Sequence, residues 1–346
     1  MSVVLTVVVA VLVFGGLIFV HEMGHYTAAR IFDVHIHEFA IGMGPKIVSR
    51  TSKKTGIAYS LRALPIGGFV MMAGEDEETD DPRALNKKPV WQRIIITAAG
   101  GVVNIVIGFL LTFVMVVTMA HLGGTTVASF DENATSNAYL RENDRIVAID
   151  GVRVSTHMDV VYQISRRGIN PVNVTVVRDG EKITVKDVVF PRTSVNGVAF
   201  GDVDFKFYQV RKTFPEIMNQ SFSYCCLYVR QVWEGLYDLI TGRYGVGEVS
   251  GPIGVTEQIG AAAKQGGTTF LSVVILISVN LGVMNLLPIP ALDGGRLVFQ
   301  FIELIFRKKV PTEIEAKIHF VGIVLLMGLM LVVSGKDIVT LFRKRL

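Results

Sequence analysis

Two histidines and a glutamate stand together in "HEMGH", residues 21–25, straight after the apolar run "MSVVLTVVVAVLVFGGLIFV". On a helix, His21 and His25 lie one turn apart on one face, so both rings can reach a single ion. Glu22 sits beside them, placed to touch a water rather than the metal. Ionisable groups are costly in hydrocarbon, and a cluster of them in an apolar helix marks a functional site. Two rings leave a catalytic zinc short of a third protein ligand. Asp293 is the best candidate, because its carboxylate follows an apolar segment interrupted by Pro288 and Pro290. His35, His37 and Asp33 are nearer in sequence but lie beyond the end of the first helix; they remain alternatives. Gly294 and Gly295 let another backbone come close to Asp293. The chemistry such a set supports is hydrolysis. Zinc polarises a carbonyl and acidifies the attacking water, and Glu22 takes the proton and passes it to the leaving amine. No serine- or cysteine-centred triad competes, and no glycine-rich phosphate loop follows a strand.

The elements that must position these groups read as a membrane protein. Hydrophobic residues make up 50% of the chain and charged residues only 18%, a composition outside the soluble class. Residues 1–32 form a first transmembrane helix. They lack a basic leader region and a small-residue cleavage site, so the helix is read as retained. Residues 33–92 hold glycines and prolines that break any helix, with strand-like pieces flanking the turn "TSKKTG". Ile57, Tyr59 and Leu61 alternate with Ala58 and Ser60, as in a small hairpin beside the membrane. "EDEETDD" reads as a solvated loop. Residues 93–120 are a second span, where Gly100 and Gly101 permit a close helix contact and Asn104 bridges helices or supports the site. Residues 121–205 switch to short β-rich runs with turns and one short helix, "HMDVVYQISRRG", as in a compact water-exposed domain. Residues 206–266 carry an aromatic helix placed at the membrane interface and a linker. A third span with the proline break covers 267–306, a loop 307–317, and a fourth span with its tail 318–346. Cys225 and Cys226 are adjacent and read as packing residues, with no disulfide framework. The net charge of +4 is spread through loops without a cationic stripe, which argues against a nucleic-acid partner.

With these residues in view, the chain resembles the bacterial site-2 protease family of intramembrane zinc metalloproteases, of the group with one PDZ domain. The family's HExxH motif is His21 to His25, and its NxxPxPxLDG motif is "NLLPIPALDG", Asn285 to Gly294. "GMGPK" and "LRALPIGGFV" resemble its membrane-associated β region, and "SGPIGV" the segment before its third span. "NAYLRENDRIVAIDGVRV" resembles a PDZ core, with Tyr139 and Asn143 standing where the usual pattern has glycines. The resemblance implies a polytopic α-helical membrane protein of about four transmembrane helices, with a membrane-associated β region and an inserted PDZ-like α+β domain. It implies Zn2+ held by His21, His25 and Asp293, with Glu22 catalytic and Asn285 positioning substrate. Tyr59, on the hairpin, is a second candidate for substrate positioning, because an exposed strand edge can pair with an unwound substrate. Implied substrates are single-span membrane proteins, such as anti-sigma factors or remnant signal peptides, cut after an upstream site-1 protease has acted.

Arg30, Lys87, Lys88 and Arg93 in the first loop and Arg307, Lys308 and Lys309 in the third place both loops inside. The protein is then expected in a bacterial inner membrane, spanning the lipid bilayer. Its PDZ-like domain is extracytoplasmic and its active site lies towards the cytoplasm. The basic tail "FRKRL" argues the other way. Two rival readings make different demands. A scaffold with an inert anchor has no use for Glu22 or Asp293. A transporter favours an inverted repeat, which the sequence lacks.

Overall fold

A computed structural model describes residues 2–75, 77, 79–195, 198–243 and 249–345. The chain divides into two compact units, Met1–Leu111 with Tyr228–Leu346, and Thr112–Leu227. Its order begins α1 (Val3–Ile31), β1 (Ile36–Thr51), β2 (Ala58–Met72) and α2 (Val90–Thr118). The β-rich part follows: β3 (Leu122–Phe130), β4 (Arg145–Ile149), β5 (Val152–Arg153), α3 (His157–Arg167), β6 (Val172–Arg178), β7 (Glu181–Val188), β8 (Arg192–Val195), β9 (Val198–Gly201) and β10 (Phe205–Val210). The chain closes with α4 (Phe214–Ile240), α5 (Pro252–Gln265), α6 (Gly267–Leu286), α7 (Asp293–Phe306) and α8 (Thr312–Arg345).

Among the described residues, four helices are long and apolar enough to cross a membrane: α1, α2, α6 and most of α8. Their outward faces carry large apolar side chains such as Leu12, Val106 and Leu325, as a lipid-facing helix requires. Ser2 starts α1 by accepting the Leu5 N–H on its side chain. The expected third span resolves into two helices. Pro288 and Pro290 have no amide hydrogen to donate, so α6 ends at Leu286 and α7 starts afresh at Asp293.

The expected hairpin is present and more folded than its alternation suggests. β1 and β2 are both long and each bends back. Tyr59 pairs with Arg50 on one side and with Phe39 on the other, while Phe39 also pairs with Val70. The result is four rows in the order 48–51, 58–61, 38–41 and 68–72. Tyr59 therefore lies in an inner row, and an edge at Tyr59 is corrected: the edges are the outer rows. Inner pairing is invisible to an alternation rule, which reads one strand at a time. A buried Glu38 ties the rows together, accepting from Ser60 Oγ at 2.5 Å and from Arg62 at 2.9 Å, with Lys46 at 2.9 Å. "EDEETDD" also departs from a purely solvated loop. Glu75 pairs with Arg296 at 2.8 Å, and Asp81 bonds His35; Asp76 and Glu78 lie outside the described residues.

In the second unit, the main sheet runs in the order β10-β3-β4-β6-β7, with β5 paired to β4. Its core includes Val127, Ile146, Ile149, Ile164, Val174 and Phe190. The helix expected in "HMDVVYQISRRG" is α3, opened by a capping box between Thr156 and Asp159. Asn143 has φ +71°, a left-handed conformation that asparagine tolerates better than most residues, so it can stand where glycine is usual. Asp144 beside it is buried and gripped by Arg178 at 2.7 Å. The sheet continues to Val210, past the expected limit at 205. Of the cysteine pair, Cys225 is buried as expected, whereas Cys226 is exposed, and neither forms a disulfide.

Candidate active site

α1 carries His21 and His25 on its buried face, and the first residue of α7 brings Asp293 to them. Both ring Nε2 atoms lie 3.2 Å from Asp293 Oδ2, and they lie 3.3 Å from each other. These are three electron-rich atoms at the corners of a nearly equilateral triangle. Four ligands at about 2.0 Å around a tetrahedral zinc would stand about 3.3 Å apart, so the triangle is one face of such a tetrahedron. Among the described residues these three are the one cluster able to hold a metal. His35, bonded to Asp81, and Asp33, 4.0 Å from Arg83, are used elsewhere.

The rings are aimed from behind. His25 Nδ1 lies 2.9 Å from Ile96 O, so it carries the proton and leaves the Nε2 lone pair facing the centre. Asn104, fully buried on α2, puts its side-chain amide 3.3 Å from His21 Nδ1. Its backbone carbonyl accepts from Ser278 Oγ at 2.8 Å, fixing α2 to α6. Asn104 thus both bridges helices and supports the site.

Space for an ion is left by Gly100. A Cβ there would overlap His25 Nε2 and stand 2.7 Å from His21 Cε1 and 2.9 Å from His21 Nε2. α7 can start where it does because Gly294 lies against the Leu287 carbonyl, where any side chain would collide. The donor set, its spacing and the open space above Gly100 fit zinc.

Glu22 stands outside the three-donor cluster and is only half-buried. The row 68–72 passes it: a Cβ on Gly68 would come 3.0 Å from Glu22 Cγ. Tyr59 does not join the donors. Its hydroxyl meets that of Tyr26 at 2.8 Å, at the wall of a cavity of about 360 Å³ lined also by Phe19, Met23 and Phe39. Asn285, in the last turn of α6, turns its amide Nδ2 back onto Leu281 O at 3.0 Å.

A polar seam joining α2 to α7 escaped the sequence reading. Arg93 pairs with Glu303 at 2.5 Å, and Gln300 donates to Thr97 at 2.9 Å. Arg93, Thr97, Gly100 and Asn104 share one face of α2; Asp293, Arg296, Gln300 and Glu303 share one face of α7. Helical spacing of polar residues in apolar company is the signal that could have found it.

Comparison with known sequences agrees with this geometry. The profile of peptidase family M50 matches residues 9–329. A Clostridium perfringens protein is 35% identical over 335 residues, covering 96% of this chain and 98% of its own length. The zinc metalloprotease RasP of Bacillus licheniformis is 30% identical, covering 97% and 99%. The regulator of sigma-W protease RasP of Bacillus subtilis is 29% identical, covering 97% and 99%.

Proposed function

The chain belongs to peptidase family M50 and is an intramembrane zinc metalloprotease; on that premise we propose its substrates, its membrane orientation and the roles of its residues. His21, His25 and Asp293 hold the zinc. When bound, zinc supplies Lewis-acid polarisation of the scissile carbonyl and acidifies the attacking water. Glu22 accepts the water proton, the water oxygen bonds the carbonyl carbon, and Glu22 returns the proton to the amine as the C–N bond breaks. The observation that carries this reading is the triangle of donor atoms at 3.2–3.3 Å with Glu22 outside it, set in a membrane-length helix. The test is elemental analysis and cleavage of a single-span substrate by purified protein in liposomes. D293N should lose both zinc and cleavage; full zinc retention would overturn the ligand set.

The substrate is a single-span membrane protein, such as an anti-sigma factor or a remnant signal peptide, already shortened by a site-1 protease. A helix hides its carbonyls in its own hydrogen bonds, so the segment to be cut must first extend. The edge row 68–72 supports strand addition there, because Gly68 brings it against Glu22. Tyr59 acts through its side chain, walling the apolar cavity that receives a substrate side chain. Asn285, next to the break, is the polar group that orients substrate backbone.

The protein is a multi-pass membrane protein with a β-rich soluble unit. We assign that unit the PDZ-like fold and place it outside the cytoplasm, in a bacterial inner membrane. Basic residues in the first and third loops support this orientation. Two contacts with α5 support an even number of spans: Gly260 lies against Thr6 of α1, and Gly254 N–H donates to Asp337 of α8 at 2.8 Å. Single cysteines, placed after Cys225 and Cys226 are replaced, test orientation and strand docking together. K182C should label with an impermeant thiol reagent in intact cells and K53C should not. M71C should cross-link to a cysteine near the scissile bond and V48C should not. Reversed labelling overturns the orientation; a cross-link from V48C alone overturns the docking edge.

A further inference from the structure

We propose that His319 is a positioning residue for the third metal ligand: from α8 it accepts the Ala291 N–H and so fixes the turn that delivers Asp293 to the centre. The inference rests on the reading of Asp293 as a ligand and extends it to a helix that contributes no donor atom.

The backbone of the break, residues 287–292, can be accounted for donor by donor. Pro288 and Pro290 have none. Leu287 N–H goes to Met284 O at 3.2 Å, Ile289 N–H to Leu287 O at 2.7 Å, and Leu292 N–H to Ile289 O at 3.2 Å. The Ala291 amide is the one that leaves the local turn, and it donates to His319 Nδ1 at 3.1 Å. Ala291 and His319 are both partly buried, and here the acceptor that the amide needs is supplied by protein. Ala291 also sits at φ +74°, a left-handed conformation that a side chain disfavours and that surrounding contacts must hold. Asp293 follows two residues later, so the hand of that turn decides where its carboxylate points.

α8 is built to come this close. Gly322, one turn after His319, packs on Pro290, where a Cβ would stand 2.5 Å from the proline Cβ. Gly295, in the first turn of α7, accepts the His319 ring in the same way, with Cε1 3.2 Å from where its Cβ would be. Phe299 stands against the imidazole with ring centres 6.0 Å apart. The ring is thus held between α7 and the break, with its unprotonated nitrogen on the Ala291 amide.

The experiment uses the full chain purified in detergent, loaded with zinc or cobalt, in four variants: H319A, H319N, H319L and D293N. Release of zinc to a chelator and the visible absorption of the cobalt form are read, both independent of proteolysis. H319A should release zinc about tenfold to hundredfold faster, the usual cost of losing a group that orients a ligand, and its cobalt bands should shift. H319N, whose Oδ1 can take the place of Nδ1, should restore much of the retention; H319L, of similar bulk without an acceptor, should not. Wild-type release and spectrum in H319A would overturn the proposal, and so would equal behaviour of H319N and H319L. Should H319A fail to fold, the H319N and H319L pair decides alone. Loss of zinc from D293N with wild-type retention in every His319 variant would sink this inference only; zinc retention in D293N would sink the ligand assignment beneath it.

Discussion

Glu22→Gln should lower turnover by at least about a hundredfold, the lower end of what a general acid–base contributes, while zinc stays bound. Glutamine keeps the size and most of the hydrogen bonding of glutamate but cannot accept the water proton. Glu22 lies outside the three donors at 3.2–3.3 Å, so the metal has no need of its charge as a ligand. The effect should fall on kcat, with substrate binding kept, because the proton moves only as the peptide bond is attacked. The assay is purified protein in liposomes with a single-span substrate, reading cleavage and bound zinc on the same sample. Near-wild-type turnover would remove Glu22 from the mechanism. Loss of zinc would instead make it a structural support of the centre.

Gly100→Ala should abolish zinc binding and cleavage together. The added methyl would overlap His25 Nε2 and come within 2.9 Å of His21 Nε2, filling the space onto which the donors open. α2 cannot easily back away, since the next residue, Gly101, already lies against α6, where a Cβ would stand 2.9 Å from Gly282 O. The control is Gly16→Ala on α1, where a Cβ meets nothing within 4 Å and alanine favours the helix. That variant should keep wild-type zinc content and activity. Zinc content by elemental analysis separates the two, with far-ultraviolet circular dichroism showing whether the helices persist. A Gly100→Ala protein with full zinc would mean that the ion does not occupy the space above Gly100.

The metal ligands were legible in the sequence because each announces itself locally. His21 and His25 share a helical face by spacing alone, and Asp293 follows a break that two prolines impose. Helical spans were legible for the same reason: hydropathy is a sum over neighbours. Tyr59 was misplaced at an edge because pairing is a property of two strands, and the bends of β1 and β2 fold each strand onto its partner twice. His319 carried no signal, since its partner is an amide 28 residues away and an amide has no letter in the sequence. The ion pair of Arg93 with Glu303 spans 210 residues, and only its repeating polar spacing could have hinted at a facing helix. "EDEETDD" shows the limit of composition: an acidic run predicts exposure, yet Glu75 and Asp81 found basic partners.

The distance in sequence between the two halves of the centre has a consequence for how the cell makes this protein. Asp293 follows His25 by 268 residues (293 − 25). At about 5–20 residues per second, a ribosome needs roughly 13 to 54 s to pass from one to the other. Through that interval the nascent chain offers a metal the two imidazoles without Asp293. A soluble protease commonly needs a propeptide to stay harmless during synthesis. Here the order of the ligands along the chain itself delays activity, because the cutting machinery is incomplete until α7 has joined the bundle.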